Sequence, residues 1–123
     1  FGPCVGLALL LAACTLPVAA QKYPERNVRL IVAFPTGASQ ILGLLVSEKL
    51  GAALGQPVVA DFRTGAGGNL AAKLAAKTPA DGHTLLLTSP SLAISPFLYK
   101  KLGYDTQRDF APVTLLSTVP NVF

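Results

Sequence analysis

Apolar residues along the chain form short runs separated by segments rich in Gly, Pro, Ser and Thr. The runs Val28 to Phe34, Pro57 to Phe62 and Thr84 to Thr88 are mostly apolar, which is typical of short strands covered on both faces. A fourth run, Ala111 to Val119, has the same character. The pattern therefore predicts four β-strands.

Helices are predicted between these strands. Residues Gln40 to Leu54 carry large apolar side chains near helical spacing, with Gly55 as the natural stop; these side chains are Ile41, Leu44, Leu45, Leu50 and Leu54. The Ala- and Leu-rich stretch Asn69 to Lys77 favours helix, and Asn69 is expected to act as its N-cap. A loop and then a short helix are predicted between Ser89 and Leu102.

Strand, loop and helix repeated in this order predict an α/β fold, with a parallel sheet and helices on its faces. In such sheets ligands bind beyond the carboxyl ends of the strands, where loops lead into helices. Three loops rich in Gly, Ser, Thr and Pro follow strands, namely Pro35 to Ser39, Arg63 to Asn69 and Ser89 to Ser95. We expect them to lie side by side and call them the first, second and third rim loops.

The segment before Lys22 has no charged residue. Its apolar stretch is too short for a permanent membrane span, and small residues precede Gln21, so residues 1–20 are expected to be a signal peptide, truncated at its start and cleaved after Ala20. Leu11 to Cys14 also fits a lipoprotein box in which Cys14 would be lipidated, and this alternative stays open. Both readings predict a periplasmic protein, with residues 21–123 forming one small domain.

Several functional classes fit the residues poorly. The net charge of +4 comes from scattered Lys and Arg without a basic face, so no nucleic-acid partner is expected. The glycines of the second rim loop complete neither a dinucleotide-binding motif nor a phosphate loop with its lysine. Both cysteines precede Lys22, and the only histidine, His83, falls in a turn where a solvent-side position is expected. No metal, cofactor or enzymatic activity is therefore predicted.

Capture of a small anion is the chemistry that these loops suit. N–H groups at helix N-termini hold carboxylate or phosphate oxygens, and glycine lets a ligand approach the backbone. Hydroxyl donors are available from Thr36, Ser39, Ser89 and Ser91, whereas Arg63 is the only cation nearby, with a solvated strand-end charge as its simplest interpretation. A tight corner without any ligand remains an alternative explanation of the glycines.

Several motifs in a fixed order support a more specific hypothesis. From Tyr23 onward, "YPERNVRLIVAFPTG", "LGQPVVADFRTGAGGNLAA", "TPADGHTLLLTSPS" and "SPFLYKKLGYDTQRDFAPVTLL" together resemble the N-terminal part of the extracytoplasmic solute receptors of tripartite tricarboxylate transporters, the Bug family. The resemblance implies a periplasmic binding protein with two α/β lobes, type II-like, of which residues 21–123 would form the first and the second would be missing. It implies capture of a small carboxylate and its delivery to a membrane permease.

The resemblance also implies ligand-binding residues. Carried over by motif, they are Pro35, Thr36, Gly37, Ala38 and Ser39 in the first rim loop, Gly65, Ala66, Gly67, Gly68 and Asn69 in the second, and Ser89, Pro90 and Ser91 in the third. Where the family usually has an acidic residue and then an Arg on the first helix, this chain has Gln40 and Leu44. The alternative hypothesis is a non-functional or self-associating interaction module derived from such a receptor.

Overall fold

The computed structural model describes residues 22–35 and 37–118; the predicted signal peptide lies outside them. One parallel sheet of three strands has the order β2-β1-β3, with helices between the strands. The elements are β1 Val28–Val32, α1 Ala38–Leu54, β2 Val58–Phe62, a short 3-10 turn Ala66–Gly68, α2 Asn69–Ala76, β3 Thr84–Leu87 and α3 Ser91–Leu98. The predicted α/β class and parallel sheet are confirmed.

The core surrounds the central strand β1. Val28, Leu30, Ile31 and Val32 are buried, because β1 has a strand on either side and helices above and below it. Ile31 packs with Ala33 and Ala71 of α2, and partly buried neighbours extend this cluster: Phe34, Leu74, Ala75 and Leu86. Burial of each large aliphatic side chain stabilises the fold by about 1.5–3 kcal/mol, so β1 is where most of the packing energy is concentrated.

Helix α1 buries small residues against the sheet, while its leucines are at most half-buried. Its buried residues are Gly43 and Ser47, and a Cβ on Gly43 would lie only 2.9 Å from Cγ2 of Val32. Ile41, Leu44 and Leu45 are 63%, 51% and 50% exposed. The helical spacing of apolar residues identified the helix but did not identify the face that packs on the sheet, because close contact with the sheet selects small side chains there.

The predicted fourth strand is wrong for the residues described. Residues 111–118 have no regular secondary structure and are exposed, while Val119 lies outside the described part of the chain. A strand needs a neighbour to pair its backbone N–H and C=O groups, and no strand in the described residues pairs with this segment. The apolar run therefore had strand-like composition without a partner strand.

The expected solvent-side position of His83 is also wrong. Its side chain is only 11% exposed and packs against the edge of the Tyr23 ring, with 5.2 Å between the ring centroids. The Tyr23 hydroxyl donates a hydrogen bond of 2.6 Å to the carbonyl of Gly82, which brings the N-terminal segment over this turn. His83 lies at the start of β3, at the end of the sheet opposite the rim loops.

Candidate functional site

The three strands that lead into the rim loops end at the same level. In the parallel register Val32 lies opposite Phe62 on one side and opposite Leu87 on the other. The hydrogen-bond ladder continues into the loops, because the N–H of Arg63 donates to the carbonyl of Val32 and that of Ala33 donates to the carbonyl of Leu87, both at 3.0 Å. The predicted side-by-side arrangement of the rim loops is confirmed.

The first rim loop leads into the N-terminus of α1. The carbonyl of Gly37 accepts hydrogen bonds from the N–H groups of Gln40 and Ile41 at 3.2 and 3.4 Å. The N–H groups of Ala38 and Ser39 have no partner among residues 22–35 and 37–118. Since α1 is 17 residues long, its dipole adds positive potential at these groups. Pro35 is half-buried, and Thr36 lies outside the described residues.

The second rim loop turns sharply and packs against the first. Its backbone runs through left-handed conformations at Ala66, Gly67 and Gly68, with φ of 48°, 64° and 92°. A Cβ on Gly68 would lie 3.1 Å from Cζ of Phe34, the residue just before the first rim loop, so a larger residue there would have to displace the Phe34 ring slightly. The carbonyl of Gly65 accepts from the N–H groups of Gly68 and Leu70. The first amides of α2 are therefore engaged inside the loop.

Asn69 does not cap α2, which corrects the prediction from its sequence position. Gly68 occupies the N-cap, without a side-chain cap, and Asn69 is the first helical residue. The Asn69 side chain instead accepts a hydrogen bond of 2.6 Å at Oδ1 from the hydroxyl of Tyr104, 35 residues further along the chain. Sequence reasoning missed Tyr104, because no local pattern links positions so far apart.

The third rim loop is tied together by its own serines. Ser89 Oγ donates to Ser91 Oγ at 2.9 Å and accepts from the N–H of Ser91 at 3.3 Å. The carbonyls of Ser89 and Pro90 accept from the next N–H groups of α3. This loop therefore offers the Ser91 hydroxyl hydrogen as a donor, while its first helical amides are already engaged.

Arg63, directly after β2, is paired with a carboxylate on that strand. Its Nε donates to Oδ1 of Asp61 at 2.8 Å, and Arg29 donates to Oδ2 of the same carboxylate. Desolvation raises the pKa of Asp61, but the hydrogen bonds from Arg29 and then Arg63 outweigh it and leave the pKa below its usual value. The side chain of Arg63 is half-exposed. The expectation of a solvated charge at the strand end is therefore confirmed in part, because Arg63 also forms an ion pair with Asp61.

The described residues of the rim loops are mostly exposed or half-buried. One depression of the described surface lies between the end of α1 and the start of β2, and another lies over the neighbouring strands β1 and β2 and extends to Arg63 at the start of the second rim loop. Among the described residues no group of three His, Cys, Asp or Glu side chains is placed to hold a metal ion. A ligand on the rim would therefore be held by N–H and hydroxyl donors, with part of its surface in water.

Comparison with known sequences gives one family. The family model described as tripartite tricarboxylate transporter family receptor matches residues 44–123. Protein BugT of Bordetella pertussis is 39% identical over 121 residues, covering 96% of this chain and 37% of BugT. A UPF0065 protein of Bordetella bronchiseptica is 43% identical over 117 residues, covering 93% of this chain and 35% of that protein. The chain thus spans about a third of the length of these relatives.

Solved structures give the same result. The periplasmic binding protein BugD has a TM-score of 0.66 at 33% identity, covering 73% of this chain and 30% of BugD. MatC from Rhodopseudomonas palustris, solved with bound malate, has a TM-score of 0.65 at 35% identity, covering 76% and 33% of the two chains. An R. palustris protein solved with adipate has a TM-score of 0.64 at 37% identity, covering 69% and 29%.

The family is one of transporter receptors and not of enzymes, and its solved members are periplasmic binding proteins. The motif order found in the sequence, the parallel sheet and the level rim loops agree with these likenesses. This chain belongs to the receptor family of the tripartite tricarboxylate transporters, which includes the Bug proteins.

Proposed function

We propose that this chain captures a small carboxylate at the rim and, as part of a receptor, delivers it to a membrane permease of the tripartite tricarboxylate type. The observation that carries the proposal is the open N-terminus of α1, where the N–H groups of Ala38 and Ser39 lack partners among the described residues. Such groups bind anions because their partial positive charge needs no buried cation to support it.

The neighbouring loops add to this arrangement. The second loop brings its glycines against Phe34 beside the first loop, and the third contributes the Ser91 hydroxyl. Two structural relatives were solved with dicarboxylates, adipate in one and malate in the other. The shared chemistry supports a carboxylate as the ligand of this chain, held in the first loop by backbone donors.

Residues 1–20 complete the proposal as an export signal that brings the domain to the periplasm. The residues described contain no helix long and apolar enough to cross a membrane. N-terminal sequencing of the protein recovered from a periplasmic extract tests this part. We expect a mature N-terminus at Gln21, whereas an intact leader would contradict it.

Titration of ¹⁵N-labelled protein with adipate or malate, followed by amide chemical shifts, tests carboxylate capture. We expect shifts confined to the rim loops, with weak affinity, roughly millimolar, because most of the ligand surface stays in water. The neutral diamide of adipic acid should produce much smaller shifts. An absence of rim shifts at saturating dicarboxylate would overturn the proposal.

Two substitutions at Ala38 sharpen the titration. Ala38 is the first residue of α1, where proline is tolerated, so Ala38→Pro removes one open N–H while keeping the helix. We expect adipate binding to weaken about three- to tenfold, the equivalent of one hydrogen bond. Ala38→Ser keeps the N–H and serves as the matched control, with affinity near that of the parent. Equal affinities for both variants would contradict capture at this amide.

A self-associating module is a second candidate function, favoured by one observation. On α3, Phe97 and Leu98 are 89% and 70% exposed, and large exposed apolar side chains favour association. Sedimentation velocity over a range of concentrations separates the candidates. A monomer that binds dicarboxylates supports the receptor, and a concentration-dependent dimer that does not bind them supports the module.

A further inference from the structure

The segment after α3 folds into a tight turn that reaches two of the rim loops. We call residues 103–110 the Tyr104 turn. Inside it, Oδ1 of Asp105 accepts from the N–H groups of Gln107 and Arg108 at 2.9 and 3.0 Å. The N–H of Asp105 also donates to Oδ2 of Asp109, and the N–H of Asp109 donates to the carbonyl of Asp105. The turn is therefore held by its own polar contacts.

Two hydrogen bonds connect this turn to the rim. The Tyr104 hydroxyl donates to Oδ1 of Asn69 in the second rim loop at 2.6 Å. Thr106 Oγ1 donates at 3.2 Å to the carbonyl of Leu92, which lies within the third rim loop in the first turn of α3. The Tyr104 ring is also fixed, since it packs edge-on against Phe110 with 5.7 Å between centroids. The ring that carries the hydroxyl to Asn69 thus has a packing partner within the same turn.

The contact with Tyr104 decides which end of the Asn69 amide is available. Oδ1 accepts the hydrogen bond from Tyr104, whereas Nδ2 has no hydrogen-bond partner among residues 22–35 and 37–118. Within this part of the chain Nδ2 is therefore an unused donor on a half-buried residue, at the start of α2 and beside the glycines of the second loop. An Asn side chain carries both a donor and an acceptor end, and this one presents only its donor end.

We propose that Tyr104 is a positioning residue of the rim, whose hydroxyl holds the Asn69 amide with Nδ2 directed to a ligand carboxylate. The inference rests on the proposed function. Without the hydroxyl, the amide is free to rotate and to present Oδ1, which repels a carboxylate oxygen but accepts a hydrogen bond from a neutral amide. Tyr104 consequently favours anionic over neutral ligands, although it lies outside the three rim loops.

Tyr104→Phe tests this role because it removes only the hydroxyl and keeps the ring packed on Phe110. In the ligand-free protein we expect the Asn69 side-chain ¹⁵N–H₂ resonance, identified by its loss in Asn69→Ala, to shift. In titrations, adipate affinity should fall about three- to tenfold, and the preference for adipate over its neutral diamide should narrow. Tyr99→Phe is the matched control, since Tyr99 is exposed and its hydroxyl has no partner among the described residues.

Tyr104→Phe is compared in the parent protein and in Asn69→Ala, and this comparison separates positioning of the amide from a general structural effect. In Asn69→Ala the further change Tyr104→Phe should leave adipate affinity and ligand preference unchanged, because the group that Tyr104 orients is gone. An equal loss in both backgrounds would overturn the proposal. Urea unfolding of each variant identifies any change that comes from lost stability.

The failure of this inference differs from the failure of the proposed function. If adipate shifts the rim amides equally in the parent and in Tyr104→Phe, and the Asn69 resonance stays in place, the positioning role is wrong and carboxylate capture stands. If adipate shifts no rim amide in the parent protein, carboxylate capture fails and so does the role of Asn69 in it. The Asn69 resonance then reports only whether Tyr104 orients the amide.

Discussion

Replacement of Gly68 by alanine tests the contact between the second rim loop and Phe34, which directly precedes the first rim loop. Gly68 has φ of 92°, and an added Cβ would lie 3.1 Å from Cζ of Phe34 and 3.5 Å from Cβ of Ala33. Gly67→Ala is the matched control, because Gly67 is also left-handed, with φ of 64°, but has no atom within 4 Å of an added Cβ. Both variants place alanine in a left-handed backbone conformation, and only Gly68→Ala must also displace the ring of Phe34.

The expected magnitudes follow from these two costs. A left-handed conformation costs a non-glycine residue about 1–2 kcal/mol, which should be the whole effect of Gly67→Ala. At Gly68 the contact with Phe34 adds overpacking, at the lower end of the usual range of about 1–3 kcal/mol because the ring must move by only a few tenths of an ångström. We therefore expect Gly68→Ala to lose roughly 2–3 kcal/mol, about 1 kcal/mol more than the control.

Urea unfolding followed by circular dichroism measures both free energies of unfolding, provided the slopes of the transitions agree. The difference of about 1 kcal/mol should also appear as a melting temperature lower by about 4–8 °C in Gly68→Ala than in Gly67→Ala. Equal stabilities of the two variants would show that the second rim loop is not packed against Phe34, and the reasoning about the packed rim would be refuted.

Two further predictions concern the edge strand and the core. The pKa of Asp61 lies below its usual value because of its ion pairs with Arg29 and Arg63. These pairs therefore stabilise the fold fully at pH values above the unfolded pKa of about 3.9. Their contribution is lost as the pH falls through the lower pKa of the folded state. Asp61→Asn should therefore cost roughly 1 kcal/mol or less at pH 7 in urea unfolding, and the difference should shrink below about pH 4; a pH-independent difference would contradict the pairing. Ile31→Ala in the fully buried centre of β1 should lower the free energy of unfolding by about 2–5 kcal/mol. Ile41→Ala on the exposed face of α1 should change it by no more than about 0.5 kcal/mol. Melting curves that show similar losses of stability for the two variants would contradict the assigned core.

Local patterns were sufficient for most elements of the fold. The apolar runs located β1, β2 and β3 to within two residues, and Gly55 ends α1 in a left-handed conformation as its position predicted. These features depend on interactions between residues close in sequence, such as the backbone freedom of glycine at a helix end. The same local reasoning failed for residues 111–118, because a strand is defined by a neighbour that composition does not reveal.

Some features of the candidate site likewise followed from local sequence, and others did not. The loops after the strands and their glycines were identified from the sequence, since parallel strands bring their carboxyl ends to one edge. The sequence did not show which of their N–H donors are already hydrogen-bonded within the loops. The amides of Ala38 and Ser39 have no partner in the part of the chain that the structure describes, whereas the first amides of α2 and α3 are engaged by carbonyls or by a serine hydroxyl of their own loops. Such engagement depends on loop conformation rather than on residue type.

The sequence by itself determined the class of fold, the order of strands and helices along the chain, the loops that form the rim and the receptor family. Only the tertiary structure decided that α1 packs through Gly43, that β1 lies at the centre of the sheet, and that Tyr104 reaches Asn69. The physical reason is that backbone propensities and hydrophobic runs act over a few residues. Close packing and hydrogen bonds between distant segments depend on which surfaces meet once the chain has folded.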